Sequence, residues 1–313
     1  MNDPKPYLSP GPHIFGNQET PRMVRDVIIA LMPAVAVSIY FFRIRAFLLI
    51  VISMAACVGA EAAIQFLMKR KIRITDGSAV VTGILFAMII PPALPLWMAA
   101  LGSFVAIGIA KELFGGLGSN IFNPALLGRA FLMAAFPTFM TAWNAPITLD
   151  AVTGATPLGL VKFSHNLDIS YLNLFLGNVS GCIGETSAAA LLLGAGYLFL
   201  RKTIDWRIPL SYLGTVAIIS FITEKASPGT YAGPAFHLLA GGVIIGAFFM
   251  ATDPVTSPVT KAGRWIFGIG CGLITMVIRL WGGLPEGVMY SILLMNGLTP
   301  ILNRITRPKR YGT

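Results

Sequence analysis

The chain has 313 residues, of which 55% are hydrophobic and only 12% charged, and its mean hydropathy is +0.75. Soluble domains carry about 25% charged residues, and the apolar runs here are nearly free of charge on every side, which excludes an ordinary soluble core and marks membrane spans. The net charge of +10 does not point to nucleic acid, because Lys and Arg sit in short clusters between apolar runs.

The first 20 residues, "MNDPKPYLSPGPHIFGNQET", are polar and rich in Pro and Gly. They hold no apolar core of a signal peptide, so the first span is expected to act as its own insertion signal. The expected fold class is an all-α integral membrane protein with about ten transmembrane helices. The candidate spans cover residues 24–42, 46–67, 78–94, 96–113, 122–140, 183–200, 208–223, 236–252, 263–280 and 286–302. Several are shorter than the ~20 residues of a straight crossing, and Pro or Gly interrupts others. Broken segments of this kind survive where protein or a cavity, not lipid, surrounds them.

Orientation follows from the basic residues. Arg22 and Arg25 precede the first span, and Lys69, Arg70, Lys71 and Arg73 follow the second. Arg201, Lys202 and Arg207 lie between the sixth and seventh, Lys261 and Arg264 between the eighth and ninth, and Arg304, Arg307, Lys309 and Arg310 after the tenth. With ten spans all of these share one side, the cytoplasm; Arg43, Arg45 and Lys225 dissent. Both termini are then cytoplasmic, and the connector between the fifth and sixth spans lies outside.

The chain also repeats itself. "GILFAMIIPP" from Gly83 resembles "GAFFMATDPV" from Gly246, and "LFGGL" at 113–117 matches "LWGGL" at 280–284. Two matches in the same order indicate duplication. Each unit would hold five spans, an odd number, so the two repeats are inverted, a plan that commonly builds a site near the midplane. The expected organisation is a cytoplasmic N-terminal segment 1–23, a first five-helix repeat 24–140, an extracytoplasmic loop 141–182, a second repeat 183–302 and a cytoplasmic tail 303–313.

That loop carries "DAVTGATPLGL", residues 150–160. Thr, Gly, Asp and Pro are common turn residues, and an ordinary loop is one reading. The other is a modification site. A Thr hydroxyl can accept a phosphoryl group, Gly154 and Ala155 leave room for an enzyme to close around it, Asp150 could position the segment, and Pro157 keeps Thr156 out of a helix.

The pattern D-x-x-[ST]-G-A-T resembles the motif read by the extracytoplasmic flavin transferase, which joins FMN through its phosphate to the final Thr. "TDGSAVVTGILFAMIIPP", "GGLGSNIFNPALLGRAF" and "ATDPVTSP" extend the resemblance over nearly the whole chain. It is to the D subunits of Rnf complexes, the ion-translocating ferredoxin:NAD+ oxidoreductases. The related B subunits of sodium-pumping NADH:quinone reductases share these blocks, but this chain's short N-terminus and length fit the Rnf subunits better. The resemblance implies covalent FMN on Thr156, with Asp150, Thr153, Gly154 and Ala155 as its motif. It also implies a second, non-covalent flavin, riboflavin, in the membrane part. Implied partners are the A, B, C, E and G subunits of the Rnf complex, the flavin transferase and membrane lipid, in a bacterial or archaeal cytoplasmic membrane. The expected role is an electron-carrying subunit of a translocase moving Na+ or H+, inactive alone.

Asn120 and Asn123 open the fifth span; they are candidates for helix capping or for hydrogen bonds to a flavin ring. Arg129 stands inside an apolar run, where a charge is functional by default, and could meet a flavin, a phosphate or an acid. Glu61, Asp76, Lys111, Glu112, Glu185 and Asp253 are interfacial or capping residues singly and could line an ion path as a group. Cys57, Cys182 and Cys271 form no CxxC pair and are expected to be buried, inert thiols; no metal site is proposed, and His13, His165 and His237 receive no role. Two rivals stay open: an inverted-repeat solute channel or transporter, and, within the resemblance, the B subunit of a sodium-pumping NADH:quinone reductase.

Overall fold

The computed structural model describes residues 19–70, 74–143, 154–164, 170–185 and 187–307. Asp150 and Thr153 of the loop motif, His13 and His165 lie outside these. Among the described residues there is no strand.

Helix α1, Glu19–Leu67, joins the first two expected spans across a single break at Arg43, with φ 50° and ψ −135°. Arg43, Ile44 and Arg45 are exposed there, between buried Phe42 and Ala46. The third expected span, 78–94, is realised only as α2, Ser78–Met88. Pro91 and Pro92 have no N–H to continue it, so eleven residues rise about 16 Å, far short of a crossing. The backbone this leaves bare is met from elsewhere. The N–H groups of Gly184 and Ile183 donate to the carbonyls of Met88 (2.6 Å) and Ile90 (3.2 Å).

Helix α3, Leu96–Ile107, runs into a π turn at Gly108–Glu112. Helix α4, Pro124–Ala135, and the short α5, Pro137–Met140, complete the first half. Two short helices follow, α6 (Pro157–Ser164) and α7 (Tyr171–Leu176). The second half comprises α8 (Ala188–Leu200), α9 (Arg207–Ala226), α10 (Pro234–Leu239), α11 (Val243–Ile245) with a π turn at Gly246–Met250, α12 (Lys261–Trp281) and α13 (Val288–Ile305). The expected span 236–252 is thus broken, with Gly241 at φ 71° between its pieces.

Two helices, Pro21–Leu67 and Lys261–Trp281, are long and apolar enough to cross a membrane, and Ser78–Met88, Pro124–Ala135 and Ala188–Leu200 are shorter apolar helices. As their Pro and Gly lead one to expect, several of the expected spans are cut into half-helices whose free carbonyls need partners inside the protein.

One buried apolar cluster joins side chains from both halves, among them Leu31, Phe86, Leu126, Leu191, Val216, Phe267 and Ile292. Helix α1 packs on α2, α3 and α8, and α12 packs on α9 and α13. A smaller cluster of Leu158, Val161, Leu174, Ala232, Phe236 and Ala240 ties α6 to α7 and α10. Between α8 and α9, Asp205 accepts from Arg207 Nη1 (2.7 Å) and Arg264 Nη1 (2.6 Å). Burial alone would raise its carboxyl, but the Arg207 backbone N–H and the Arg264 guanidinium prevail and hold it below the ordinary carboxylate value.

Close approach requires glycine at Gly194, where α8 crosses α1: a Cβ there would overlap the Ala30 carbonyl, whereas Gly196 has nothing within 4 Å. Gly194→Val should lower the melting temperature in detergent, with a cost of about 1–3 kcal/mol from overpacking. Gly196→Ala should leave it unchanged or slightly raised. Equal effects at the two positions would contradict this crossing.

Candidate functional site

Thr156 stands at the start of α6. Its Oγ1 accepts the N–H of Gly159 at 3.1 Å and its carbonyl accepts the N–H of Leu160 at 2.9 Å. This is an N-cap followed by Pro at the first helical position, where the missing N–H costs nothing. The Gly154 N–H donates to the Trp143 carbonyl at 2.9 Å and fixes the approach. Lys162, held below the usual lysine pKa by burial, donates to the carbonyls of Ile278 and Leu284, both at 2.8 Å, and pins α6 to the end of α12.

Thr156 lines a cavity of about 550 Å³ together with Gly154, Ala155, Trp143, Phe163, Tyr290, Arg129 and Glu286. Three aromatic side chains, one buried guanidinium and a half-buried hydroxyl thus share one space, a mixture of apolar wall and few polar groups that suits a ring-bearing ligand. The hydroxyl lies at the N-terminal end of α6, where the free N–H groups and the helix dipole favour negative charge.

Arg129 is 4% exposed. Its Nη1 lies 3.5 Å from Glu185 Oε1, an ion pair without a hydrogen bond, and its Nε has no hydrogen-bond partner among the described residues. A second ion pair involves buried Arg279, whose Nη2 is 3.2 Å from Oε1 of half-buried Glu286. Arg279 also donates to the carbonyls of His237 (2.7 Å) and Ala240 (2.9 Å), while Glu286 accepts the Gly242 N–H at 3.1 Å. Arg279 and Glu286 are absent from the sequence-based candidates. A signal for them exists, since "ITMVIRLWGG" places an Arg in an apolar run just as "NPALLGRAF" does.

The structure does not bring Asn120 and Asn123 to this cavity. They line a second one of about 440 Å³, with Ser78, Lys111, Phe248, Thr252 and Asp253. Asn123 is a helix cap, its Oδ1 accepting the Leu126 N–H at 3.3 Å, and its Nδ2 also donates to the Met250 carbonyl at 3.3 Å. It therefore satisfies the broken end of the Gly246–Met250 turn. Asn120 donates to the Phe122 carbonyl at 3.3 Å. The two cavities lie along α4, one at its N-terminus and one beside Arg129.

The model of the NQR2, RnfD, RnfE family matches residues 7–312. The chain belongs to that family. It is 48% identical over 315 residues to the D subunit of the Na(+)-translocating ferredoxin:NAD(+) oxidoreductase complex of Acetobacterium woodii, covering 100% of this chain and 97% of that protein. It is 45% identical over 318 residues to the D subunit of the proton-translocating ferredoxin:NAD(+) oxidoreductase complex of Clostridium ljungdahlii, covering 98% and 96%. The D subunit of the ion-translocating oxidoreductase complex of Stutzerimonas stutzeri is 40% identical over 324 residues, covering 93% and 92%. These relatives are thus subunits of ion-translocating oxidoreductase complexes, and the first two differ in the ion they are named for.

Arg129→Met or Glu185→Met alone should each cost about 3–5 kcal/mol, since either leaves one buried charge unpaired. The double substitution should recover most of that loss. A double-mutant cycle on detergent unfolding checks this; additive losses would contradict the pairing.

Proposed function

We propose that this chain is the D subunit of a membrane complex that couples electron transfer between ferredoxin and NAD+ to outward movement of Na+ or H+, and that it carries FMN covalently on Thr156. The observation that carries the reading is the position of Thr156. The last residue of the D-A-V-T-G-A-T motif puts its hydroxyl on a 550 Å³ cavity walled by Trp143, Phe163 and Tyr290 and floored by Arg129.

The residues present fit the group. A phosphodiester on Thr156 Oγ1 would keep its negative charge at the start of α6, where the first-turn amides and the dipole favour it. Trp143, Phe163 and Tyr290 would bind a flat ring and exclude water. Arg129, with its unpaired Nε, would supply a donor and a positive charge toward the ring or the phosphate. Lys162, anchored on two carbonyls, keeps α6 from moving with its load. When bound, the flavin supplies the electron-carrying chemistry, and the protein supplies orientation and tuning.

Riboflavin belongs in the second cavity. The amides of Asn120 and Asn123 suit its ring carbonyls and nitrogens, and Phe248 and Phe249 give it an apolar wall. Arg129 serves the first cavity instead. The ten-span inverted-repeat plan is supported by the corresponding breaks after Met88 and Met250, and the Lys and Arg clusters favour both termini in the cytoplasm of a bacterial or archaeal cell. It puts α6 outside, where the flavin transferase works and where the G subunit would exchange electrons; the A, B, C and E subunits complete the assembly. The coupling ion follows something finer than family, because relatives of nearly equal identity carry different ions in their names.

Co-expressed with the transferase, the chain should give a flavin-fluorescent band on a denaturing gel, and Thr156→Ala should abolish it. Asn120→Leu should leave that band intact while lowering the riboflavin released by acid from the purified protein. A band that persists in Thr156→Ala would end the covalent assignment.

A further inference from the structure

A smaller cavity of about 120 Å³ lies on the other face of α6, between that helix, α10 and the end of α12. Helix α6 is the partition between two spaces. Leu158, Val161 and Lys162 line the smaller one, whereas Gly159 and Phe163 line the cavity at Thr156. The polar lining of the smaller cavity includes His237, Arg279, Lys162, Thr230 and Tyr231.

His237 is 4% exposed and Arg279 3%. Neither ring nitrogen of His237, nor the Arg279 Nε, has a hydrogen-bond partner among the described residues. The rest of both residues is firmly held. Arg279 Nη1 donates to the His237 carbonyl at 2.7 Å, and Nη2 donates to the Ala240 carbonyl at 2.9 Å and to Glu286 Oε1 at 3.2 Å. The His237 N–H donates to the Gly233 carbonyl at 3.3 Å. The unpartnered atoms therefore belong to two fixed side chains that share one cavity. Buried polar groups are costly when left unbonded, so three such atoms at one place point to an occupant.

The chemistry of the donor set narrows that occupant. Arg Nε can only donate, and a neutral imidazole offers one donor and one acceptor. Lys162 Nζ gives two of its three protons to the carbonyls of Ile278 and Leu284, which leaves one more donor beside the cavity. The guanidinium and the ammonium oppose a metal cation and favour negative charge, and a buried anion needs such partners. At about 30 Å³ per water-sized particle, the space takes one small ion and a few waters but no flavin or nucleotide. A water or a hydroxyl serves the accepting nitrogen of His237. Exposed Thr230 and half-buried Tyr231 give the cavity a rim open to solvent.

We propose that His237 and Arg279 Nε, with Lys162, form a binding site for one small monovalent anion of halide size. Such an ion ties α10, α12 and α6 together at one point and holds α6 from the face opposite the Thr156 cavity. Arg279 also positions Glu286, which lines that cavity, so the two spaces share a side-chain contact. The anion site goes beyond the flavin assignment and does not depend on it.

The test uses the full chain in lipid nanodiscs, with unfolding followed by tryptophan fluorescence at constant ionic strength. Replacing gluconate, which is too large for the cavity, with chloride or bromide should raise the melting temperature of the wild type by a few degrees and then level off, as binding to the folded state requires. His237→Phe keeps the ring volume and the backbone contacts but removes both nitrogens, and it should abolish the difference between chloride and gluconate whatever its own melting temperature. Crystals grown in bromide should show an anomalous peak beside His237 and Arg279. Equal melting temperatures of the wild type in chloride and gluconate, which need no variant to fold, would overturn the proposal. So would a chloride effect that survives intact in His237→Phe, or a cavity holding only water in bromide crystals.

Discussion

Burying charge in an apolar scaffold is the constraint on which the rest of the structure depends. Arg129 and Arg279 come from different helices, α4 and α12, and each is held by a carboxylate from a neighbouring segment. Neither could stay at that depth alone. Glu185 belongs to the same short stretch whose Gly184 N–H caps the end of α2, and Glu286 also holds the Gly242 backbone where the second half is broken. The ion pairs and the broken helices are therefore one construction. The charges bring the interrupted segments together, and those segments make the walls of the cavity at Thr156.

The interruptions follow a common rule in both halves. A half-helix leaves carbonyls without partners, and in an apolar surround each must find one. Met88 finds the Gly184 N–H, and Met250 finds the Asn123 amide. The two methionines fall one position apart in the repeated G-x-x-F alignment of the sequence. A residue that looks like a simple cap from one side, Asn123, is from the other side the partner that makes the second break possible.

Much of this is legible in the residues. The composition requires membrane helices, the Pro and Gly positions require breaks, and the polar loop motif draws attention to Thr156. The burial of Cys57, Cys182 and Cys271 follows from their apolar neighbours. The rest depends on tertiary contacts. The two arms of α1, parted at Arg43, match the expected spans 24–42 and 46–67, but periodicity has no signal for so short a junction, because a one-residue break is a matter of φ and ψ. Asn120, Asn123 and Arg129 read as one group because they are close in sequence, yet six residues along a helix separate Asn123 from Arg129 by about 9 Å and assign them to different cavities. Glu61, Lys111 and Glu112 can be flagged singly, but only the packing of α1 against the π turn after α3 reveals that Lys111 pairs with Glu61 and that Gln65 reaches both acids.

The side of the membrane on which α6 lies decides whether Thr156 can receive a flavin at all. The three native cysteines are each 0% exposed, so a single exposed thiol can report without background. Ser164→Cys puts that thiol on the exposed end of α6. A membrane-impermeant maleimide added to intact cells should label it. Labelling only after the cytoplasmic face is opened, as in inverted vesicles, would contradict an extracytoplasmic α6 and the flavin on Thr156 with it.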